Sequence, residues 1–346
     1  MDVERVLLAS PRGFCAGVEM AIKALSWMVR VFEPPVYCYH EIVHNQVVVD
    51  RFRAMGVVFV DDVTEVPAGA PLMLSAHGTA PAVLDAARAR GGVVVDAVCP
   101  LVTKVHHELK VRAGKGYTVL YVGHAGHDEA VGTMAVAPDA VRLLERASDV
   151  GELDLPSGAP VALLAQTTLS QHDWRGILDA ARDRFPELWM PGRSDLCFAT
   201  TNRQDALSTV APKADAVVVI GSANSSNTVA LVKSAQAAGC ARVHRVNSVN
   251  EVPGDLTGVV GVTAGASAPE ELVSAVVARL APEEGIEEVS VTDEDEYFPP
   301  PAELRHLLRG LVAALTLGLA APVAPGPLLS EDREVEASEV LATLHR

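Results

Sequence analysis

The sequence predicts an α/β protein made of three α/β units with parallel sheets, related by a pseudo-threefold axis in a trefoil arrangement. Two observations predict this class. Apolar runs of strand length alternate with segments of helical period along most of the chain. Three sets of segments also repeat, and each set has one cysteine at a predicted helix start and two strands that end in polar residues. We therefore expect the three units to converge on one pocket.

Six predicted strands lead to polar residues at their carboxyl ends. Three of them are residues 36–39, 118–122 and 216–220, and the other three follow a turn at residues 63–67, 153–156 and 250–253. Ligands of parallel sheets bind beyond the carboxyl ends of the strands, so these ends are candidate binding residues. The candidates are His44, His77, His127, Thr167, Ser225, Ser226, Asn227 and Ser267.

Three of the five cysteines occupy equivalent places in the repeats. Cys15, Cys99 and Cys197 each open a predicted helix, where the helix dipole and the unpaired amides favour a thiolate. Cys38 and Cys240 lie in apolar surroundings and are expected to be structural. Three thiolates on one axis suit a soft metal. Zinc would add a protein ligand or a water, whereas a cubane iron–sulfur cluster would keep one iron open to substrate.

Composition narrows the class of protein. The chain has 346 residues, 49% of them hydrophobic, and a net charge of −16, which argues against nucleic acid as a partner. Neither a signal peptide nor an apolar run of membrane length is visible, so we expect a cytoplasmic protein whose cysteines are reduced or metal-bound. Residues 221–225 lack the spaced glycines of a dinucleotide turn, and no Walker-type motif occurs, so the sequence predicts neither a bound flavin or nicotinamide nor a P-loop.

Nine short motifs follow one another along the chain: residues 11–18, 41–45, 75–78, 99–106, 123–129, 166–170, 199–204, 224–227 and 261–269. In this order they resemble the hydroxymethylbutenyl diphosphate reductase family, also called the IspH or LytB family. The resemblance spans roughly residues 5 to 305.

The resemblance implies a reductive removal of the allylic hydroxyl of (E)-4-hydroxy-3-methylbut-2-enyl diphosphate. The products are isopentenyl and dimethylallyl diphosphate, formed in the last step of the methylerythritol phosphate pathway. A [4Fe–4S] cluster would be held by Cys15, Cys99 and Cys197, and ferredoxin or flavodoxin would be the electron donor. Glu129 and Thr167 would act at the reacting hydroxyl, with Glu129 as the proton donor. The diphosphate would be bound by His44, His77, His127, Ser225, Ser226, Asn227 and Ser267.

The predicted units are residues 1–98, 99–195 and 196–305, followed by an extension at 306–346 that we expect to be disordered or loosely docked. The proline-rich stretch 311–329 favours this, and residues 330–346 are expected to form a short charged helix. Two other functions are open. One is a different three-cysteine [4Fe–4S] dehydratase of the quinolinate-synthase type, and the other is a non-catalytic redox-sensing paralogue.

Overall fold

The computed structural model describes residues 1–156, 158–192, 194–319 and 332–344. These residues form two compact units. The larger unit contains residues 1–15, 44–46 and 101–294, and the smaller unit contains residues 16–43, 47–100 and the described residues from 295 onward. Each ladder between the described strands is parallel, which confirms the predicted α/β class with parallel sheets.

Strands and helices alternate through most of the described chain. The strands are β1 (Asp2–Ser10), β2 (Val36–Tyr39), β3 (Val57–Val60), β4 (Leu72–Leu74), β5 (Val94–Asp96), β6 (Thr118–Val122), β7 (Val141–Leu144), β8 (Val161–Ala165), β9 (Ala216–Ile220), β10 (Val243–Val246), β11 (Thr257–Ala264) and β12 (Ile286–Ser290). The helices are α1 (Ala16–Val31), α2 (Gln46–Ala54), α3 (Pro81–Ala89), α4 (Pro100–Gly114), α5 (Asp128–Met134), α6 (Ala147–Glu152), α7 (Gln171–Arg184), α8 (Phe198–Val210), α9 (Ser226–Ala237), α10 (Glu270–Leu280), α11 (Ala302–Leu319) and α12 (Ala337–Ala342). Short 3₁₀ turns lie at Val63–Glu65, Ala211–Lys213 and Val249–Glu251.

The larger unit holds two sheets. The five-stranded sheet has the order β10-β9-β11-β1-β12, and the three-stranded sheet has the order β7-β6-β8. All residues of β8 and β9 are buried, as expected for apolar strands that carry helices on both faces of a parallel sheet. The candidate polar residues of this unit follow the carboxyl ends of β6, β8, β9 and β11.

The predicted division of the chain did not anticipate the pairing of strand β1. We grouped it with residues 1–98, but it pairs with β11 on one side and with β12 on the other, far along the sequence. The physical reason is burial, because Val6, Leu7 and Ala9 are at most 4% exposed and a central strand needs a neighbour on both sides. The division at residues 98 and 195 stays a prediction.

The smaller unit contains one four-stranded sheet in the order β3-β2-β4-β5. Strand β4 is buried along its whole length and leads directly into Ser75, Ala76 and His77. Cys38 lies in β2 with no exposure, as predicted for a structural cysteine. Burial raises the pKa of its thiol far above the usual value, so this side chain behaves as a small apolar group.

The end of the chain also belongs to the smaller unit. Lys23 of α1 donates from Nζ to the Asp332 carbonyl at 3.3 Å and pairs with Glu19 at 3.1 Å, and Glu19 accepts a hydrogen bond from the Ala337 amide at 2.7 Å. Residues 332–344 therefore contact α1, and the disordered or loosely docked extension that we expect over residues 306–346 stays a prediction. The predicted short helix is α12, and the part of our expectation that concerns residues 320–331 lies outside the described residues.

None of the helices within the described ranges combines the length and the apolar character that crossing a bilayer requires.

Candidate active site

His127 caps α5 directly after β6. Its Nδ1 atom accepts a hydrogen bond from the Glu129 amide at 3.2 Å, so Nδ1 carries no proton and Nε2 is the donor of the neutral ring. Burial, and then the nearby His44 ring, lower the pKa of His127 to about 4. The centroids of the two rings lie 5.1 Å apart in an edge-on arrangement. An imidazole with this pKa is neutral near pH 7, and its Nε2 atom can then donate a hydrogen bond without carrying a charge.

Glu129 lies in the first turn of α5 and is only 2% exposed. Both of its carboxyl oxygens contact Thr167, which follows β8: the Thr167 amide donates to Oε1 at 2.7 Å, and the Thr167 hydroxyl donates to Oε2 at 3.0 Å. Burial raises the pKa of Glu129 to about 7, although the two hydrogen bonds act in the opposite direction. A carboxyl group with this pKa can deliver a proton near neutral pH.

The start of α9 carries the predicted Ser225, Ser226 and Asn227, all buried. Ser225 is the N-cap, and its Oγ accepts from the Thr228 amide at 3.3 Å. Ser226 Oγ donates to the Thr168 carbonyl at 3.4 Å. The N-terminus of this twelve-residue helix is positive and suits an anion.

Asn227 and Ser267 also hold the local backbone. Asn227 accepts from the Ala266 amide at 3.0 Å through Oδ1 and donates from Nδ2 to Thr200 Oγ1 at 3.2 Å. The hydroxyl of Ser267, which follows β11, donates to the His44 carbonyl at 2.9 Å. These contacts bring the ends of β9 and β11 and the segment with His44 together within the larger unit.

Cys197 is the N-cap of α8, and its sulfur replaces the usual hydroxyl oxygen of a cap. Its Sγ accepts from the Thr200 amide at 3.2 Å and lies 2.9 Å from Thr200 Oγ1. Burial, and then the nearby Cys15, raise the pKa of the Cys197 thiol to about 12. This differs from the expectation that a helix start favours the thiolate, because burial outweighs the helix dipole here. Because the two sulfurs lie close enough to disfavour each other's negative charge, a bound cation would stabilise both thiolates.

Cys99 and His77 lie in the smaller unit. The Cys99 amide donates to the Ala76 carbonyl at 3.0 Å, so the residue next to His77 anchors the residue that directly precedes α4. A Cβ atom on Gly17 would lie 2.8 Å from the Cys99 sulfur, which no real Cβ tolerates. Gly17 therefore leaves the space that this thiol occupies.

Two residues that contact the thiol segments escaped the sequence analysis, although both lie in the quoted motif 199–204. Thr200 touches the Cys197 sulfur, and Arg203 donates hydrogen bonds to the carbonyls of Gly13 and Phe14. Their place in a motif was the available signal, but nothing in the sequence shows which segment an arginine side chain will reach.

The fold and these residues define a class: a parallel α/β protein with histidines, serines and a buried acid at its strand ends, and cysteines at helix starts. The family model described as "LytB protein" matches residues 6–281 of the chain. The chain belongs to the LytB family, which confirms the family predicted from its motifs.

Curated relatives and solved structures are similar over most of the chain. A 4-hydroxy-3-methylbut-2-enyl diphosphate reductase of Rhodopirellula baltica is 46% identical over 319 residues, covering 91% of this chain and all of that protein. One of Mycolicibacterium paratuberculosis is 45% identical over 308 residues, or 87% and 92% of the two chains. The solved E-1-hydroxy-2-methyl-but-2-enyl-4-diphosphate reductase from Plasmodium falciparum is 31% identical, with a TM-score of 0.86 over 89% of this chain and 99% of that one.

Proposed function

We propose that this protein is a 4-hydroxy-3-methylbut-2-enyl diphosphate reductase and catalyses the last step of the methylerythritol phosphate pathway. The relatives that bear this name match 87 to 91% of this chain at about 45% identity, and the family model spans residues 6–281, which include every proposed site residue. The observation in the structure that carries the proposal is the buried pair of Glu129 and Thr167, whose carboxyl group has a pKa of about 7. The reaction needs such an acid, because the departing hydroxyl must leave as water.

The reaction balances as a two-electron reduction. The allylic C–O bond breaks, a C–H bond forms, and two electrons and two protons convert the hydroxyl to water and the substrate to isopentenyl or dimethylallyl diphosphate. Glu129 donates a proton to the leaving oxygen from its buried carboxyl group, and Thr167 orients both that carboxyl and the substrate hydroxyl. His127 stays neutral beside them and does not compete for the proton.

The diphosphate is held by hydrogen-bond donors in this proposal. These are imidazole, hydroxyl and amide groups, together with the N-terminus of α9, whose positive end replaces an arginine cluster. Ser225, Ser226, Asn227 and Ser267 of this set also hold protein backbone through their polar atoms, so we assign to them the shaping of the site as well as contact with the anion. The proposed residues are His44, His77, His127, Ser225, Ser226, Asn227 and Ser267.

We propose that Cys15, Cys99 and Cys197 hold a [4Fe–4S] cluster. Three features support the fit: the interaction of the Cys15 and Cys197 thiols, the two contacts of Thr200 with the Cys197 sulfur, and the space that Gly17 leaves for Cys99. When bound, such a cluster supplies electrons and a Lewis-acidic iron. Ferredoxin or flavodoxin is the proposed electron donor, and the cytoplasm is the proposed compartment.

The test uses protein purified without oxygen, iron and sulfide assays, and turnover of the hydroxymethylbutenyl diphosphate with a reduced viologen. We expect about four irons per chain, as a cubane requires. Glu129→Gln should lower kcat by about 10²- to 10⁴-fold at unchanged iron content, because it removes the acid but keeps the size of the side chain. Glu187→Gln is the matched control, since this exposed glutamate lies outside the proposed site and outside the family motifs, and its replacement should leave turnover intact.

Two outcomes would contradict the proposal. A cluster without turnover of this substrate would favour the dehydratase or the redox-sensing paralogue. A colourless protein that binds zinc would exclude the cluster and the reduction with it.

A further inference from the structure

Arg203 is a fully buried arginine that joins two cysteine-bearing segments of the larger unit. It has no solvent exposure, which is rare for arginine unless it is paired. Its Nε and Nη2 atoms donate to the Gly13 carbonyl at 3.2 and 2.8 Å, and Nη2 also donates to the Phe14 carbonyl at 3.4 Å. Nη1 donates to the Ala199 carbonyl in the first turn of α8 at 3.0 Å. One guanidinium thus binds the backbone beside Cys15 and the helix that Cys197 caps.

Glu294 supplies the counter-charge. Arg203 Nη1 lies 2.9 Å from Glu294 Oε1 and 3.0 Å from Oε2, and Asn202 donates to Oε1 at 3.0 Å. The arginine side chain is 1% exposed and the glutamate side chain 15%, so the pair is largely removed from water. Because an unpaired buried charge is costly, each member fixes the position of the other.

The segment with Cys15 is also fixed on its other side. We call residues 11–15 the Cys15 loop. The Cys15 amide donates to the Ala266 carbonyl at 3.1 Å, just beyond the end of β11. Gly13 has a φ of +68°, and a Cβ there would lie 3.3 Å from the Ala268 carbonyl oxygen, so glycine is required. Arg203 and the end of β11 therefore hold the Cys15 loop from two directions.

We propose that Arg203, paired with Glu294, is a positioning residue that fixes the Cys15 sulfur relative to the Cys197 sulfur. The inference rests on the proposed function, because it matters only if these thiols hold a cluster. It goes beyond that function because neither residue is a proposed ligand, acid or substrate contact. The planar guanidinium with its five donors suits this task, whereas a lysine is a point charge and cannot bind both carbonyl segments and the carboxylate together.

The test compares Arg203→Lys and Glu294→Gln with Arg184→Lys in the full chain, purified without oxygen. Arg184 is the matched control, since it also donates to backbone carbonyls, those of Val150, Leu153 and Leu155, in the same unit. Three quantities are measured: iron per chain, the rate of iron loss to a chelator, and the rate of alkylation of each cysteine by peptide mass spectrometry. Cys240, buried and not a proposed ligand, is the internal reference.

We expect Arg203→Lys to lose iron about tenfold faster and to alkylate faster at Cys15, because supporting residues typically tune metal affinity by this order. Glu294→Gln should change both rates in the same direction, and it carries the test if Arg203→Lys does not fold. In the control, both rates should equal those of the wild type. Unchanged iron loss and unchanged Cys15 alkylation in both variants would overturn the inference.

The design separates the two proposals. A wild type that turns over the substrate, with variants that keep wild-type iron loss and alkylation, overturns the positioning role and leaves the reductase standing. A wild type without turnover, with variants that lose iron and expose Cys15, supports the positioning role and overturns the reductase.

Discussion

Glu129, which is buried, and Glu294, whose side chain is 15% exposed, are two glutamates of the larger unit with opposite surroundings. Glu129 contacts the amide and the hydroxyl of Thr167, both neutral, whereas Glu294 contacts the guanidinium of Arg203. Burial without a cation raises the pKa of Glu129 to about 7, and this carboxyl can exchange its proton. Glu294 instead neutralises a buried positive charge. The partner, together with burial, decides whether the pKa of a carboxyl group is raised or the group pairs with a buried cation.

The largest expected effect comes from breaking the ion pair. Arg203→Met leaves Glu294 without its cation and the Gly13 carbonyl without its donors, so it should lower the free energy of unfolding by about 3 to 5 kcal/mol. Denaturant unfolding at one pH measures this change. The double variant with Glu294→Gln should recover part of the loss, because it no longer buries an unpaired charge. A loss below about 1 kcal/mol in the single variant would mean that water replaces the guanidinium.

The next effect is the pH dependence that Glu129 gives to stability. Its pKa rises from 4.5 to about 7 on folding, so between these values the folded chain keeps a proton that the unfolded chain has lost. The contribution of Glu129 to stability is complete below about pH 4.5 and is lost as pH rises through about 7, by about 3 kcal/mol. Glu129→Gln lacks this slope. Denaturant unfolding at pH 5 and pH 8 measures this difference. The free energy of unfolding of the variant, relative to that of the wild type, should be higher at pH 8 than at pH 5. An equal difference at the two pH values would contradict the raised pKa of Glu129.

The smallest effect comes from a glutamate that is paired but not buried. Arg5 and Glu287 lie 3.3 Å apart, with side chains 43% and 54% exposed. Water screens such a pair, so Arg5→Gln should change the free energy of unfolding by about 0.5 kcal/mol or less. The same denaturant series measures this change. A change as large as that of Arg203→Met would show that burial does not explain why the Arg203–Glu294 pair contributes more than the Arg5–Glu287 pair.

Short-range patterns made much of the fold and the site predictable. The apolar runs that end at His127 and at Thr167 identify strands whose carboxyl ends carry polar residues, whereas the role of Glu129 as an acid stays a prediction from the family motifs. Local sequence also identified Cys38 as structural, since it lies inside an apolar strand. These features depend on residues that are close together in the sequence, so they can be read from it directly.

Long-range contacts were not predictable in the same way. Arg203 binds a carbonyl 190 residues away, and Lys23 binds one 309 residues away, with no periodicity to connect them. The apolar residues of β1 predict burial but do not specify the neighbours β11 and β12. Asn227 has both ends of its amide engaged by protein, and such a choice of partners depends on packing that only coordinates reveal.

The cap of α8 has an evolutionary consequence. Serine is among the best N-cap residues, and the codons of cysteine and serine differ by a single base. A change of Cys197 to serine would therefore abolish a proposed ligand and still preserve the helix start that the sulfur now stabilises. A single mutation can thus inactivate the protein without unfolding it. A duplicated copy of the gene could then encode a stable but inactive protein for a long time.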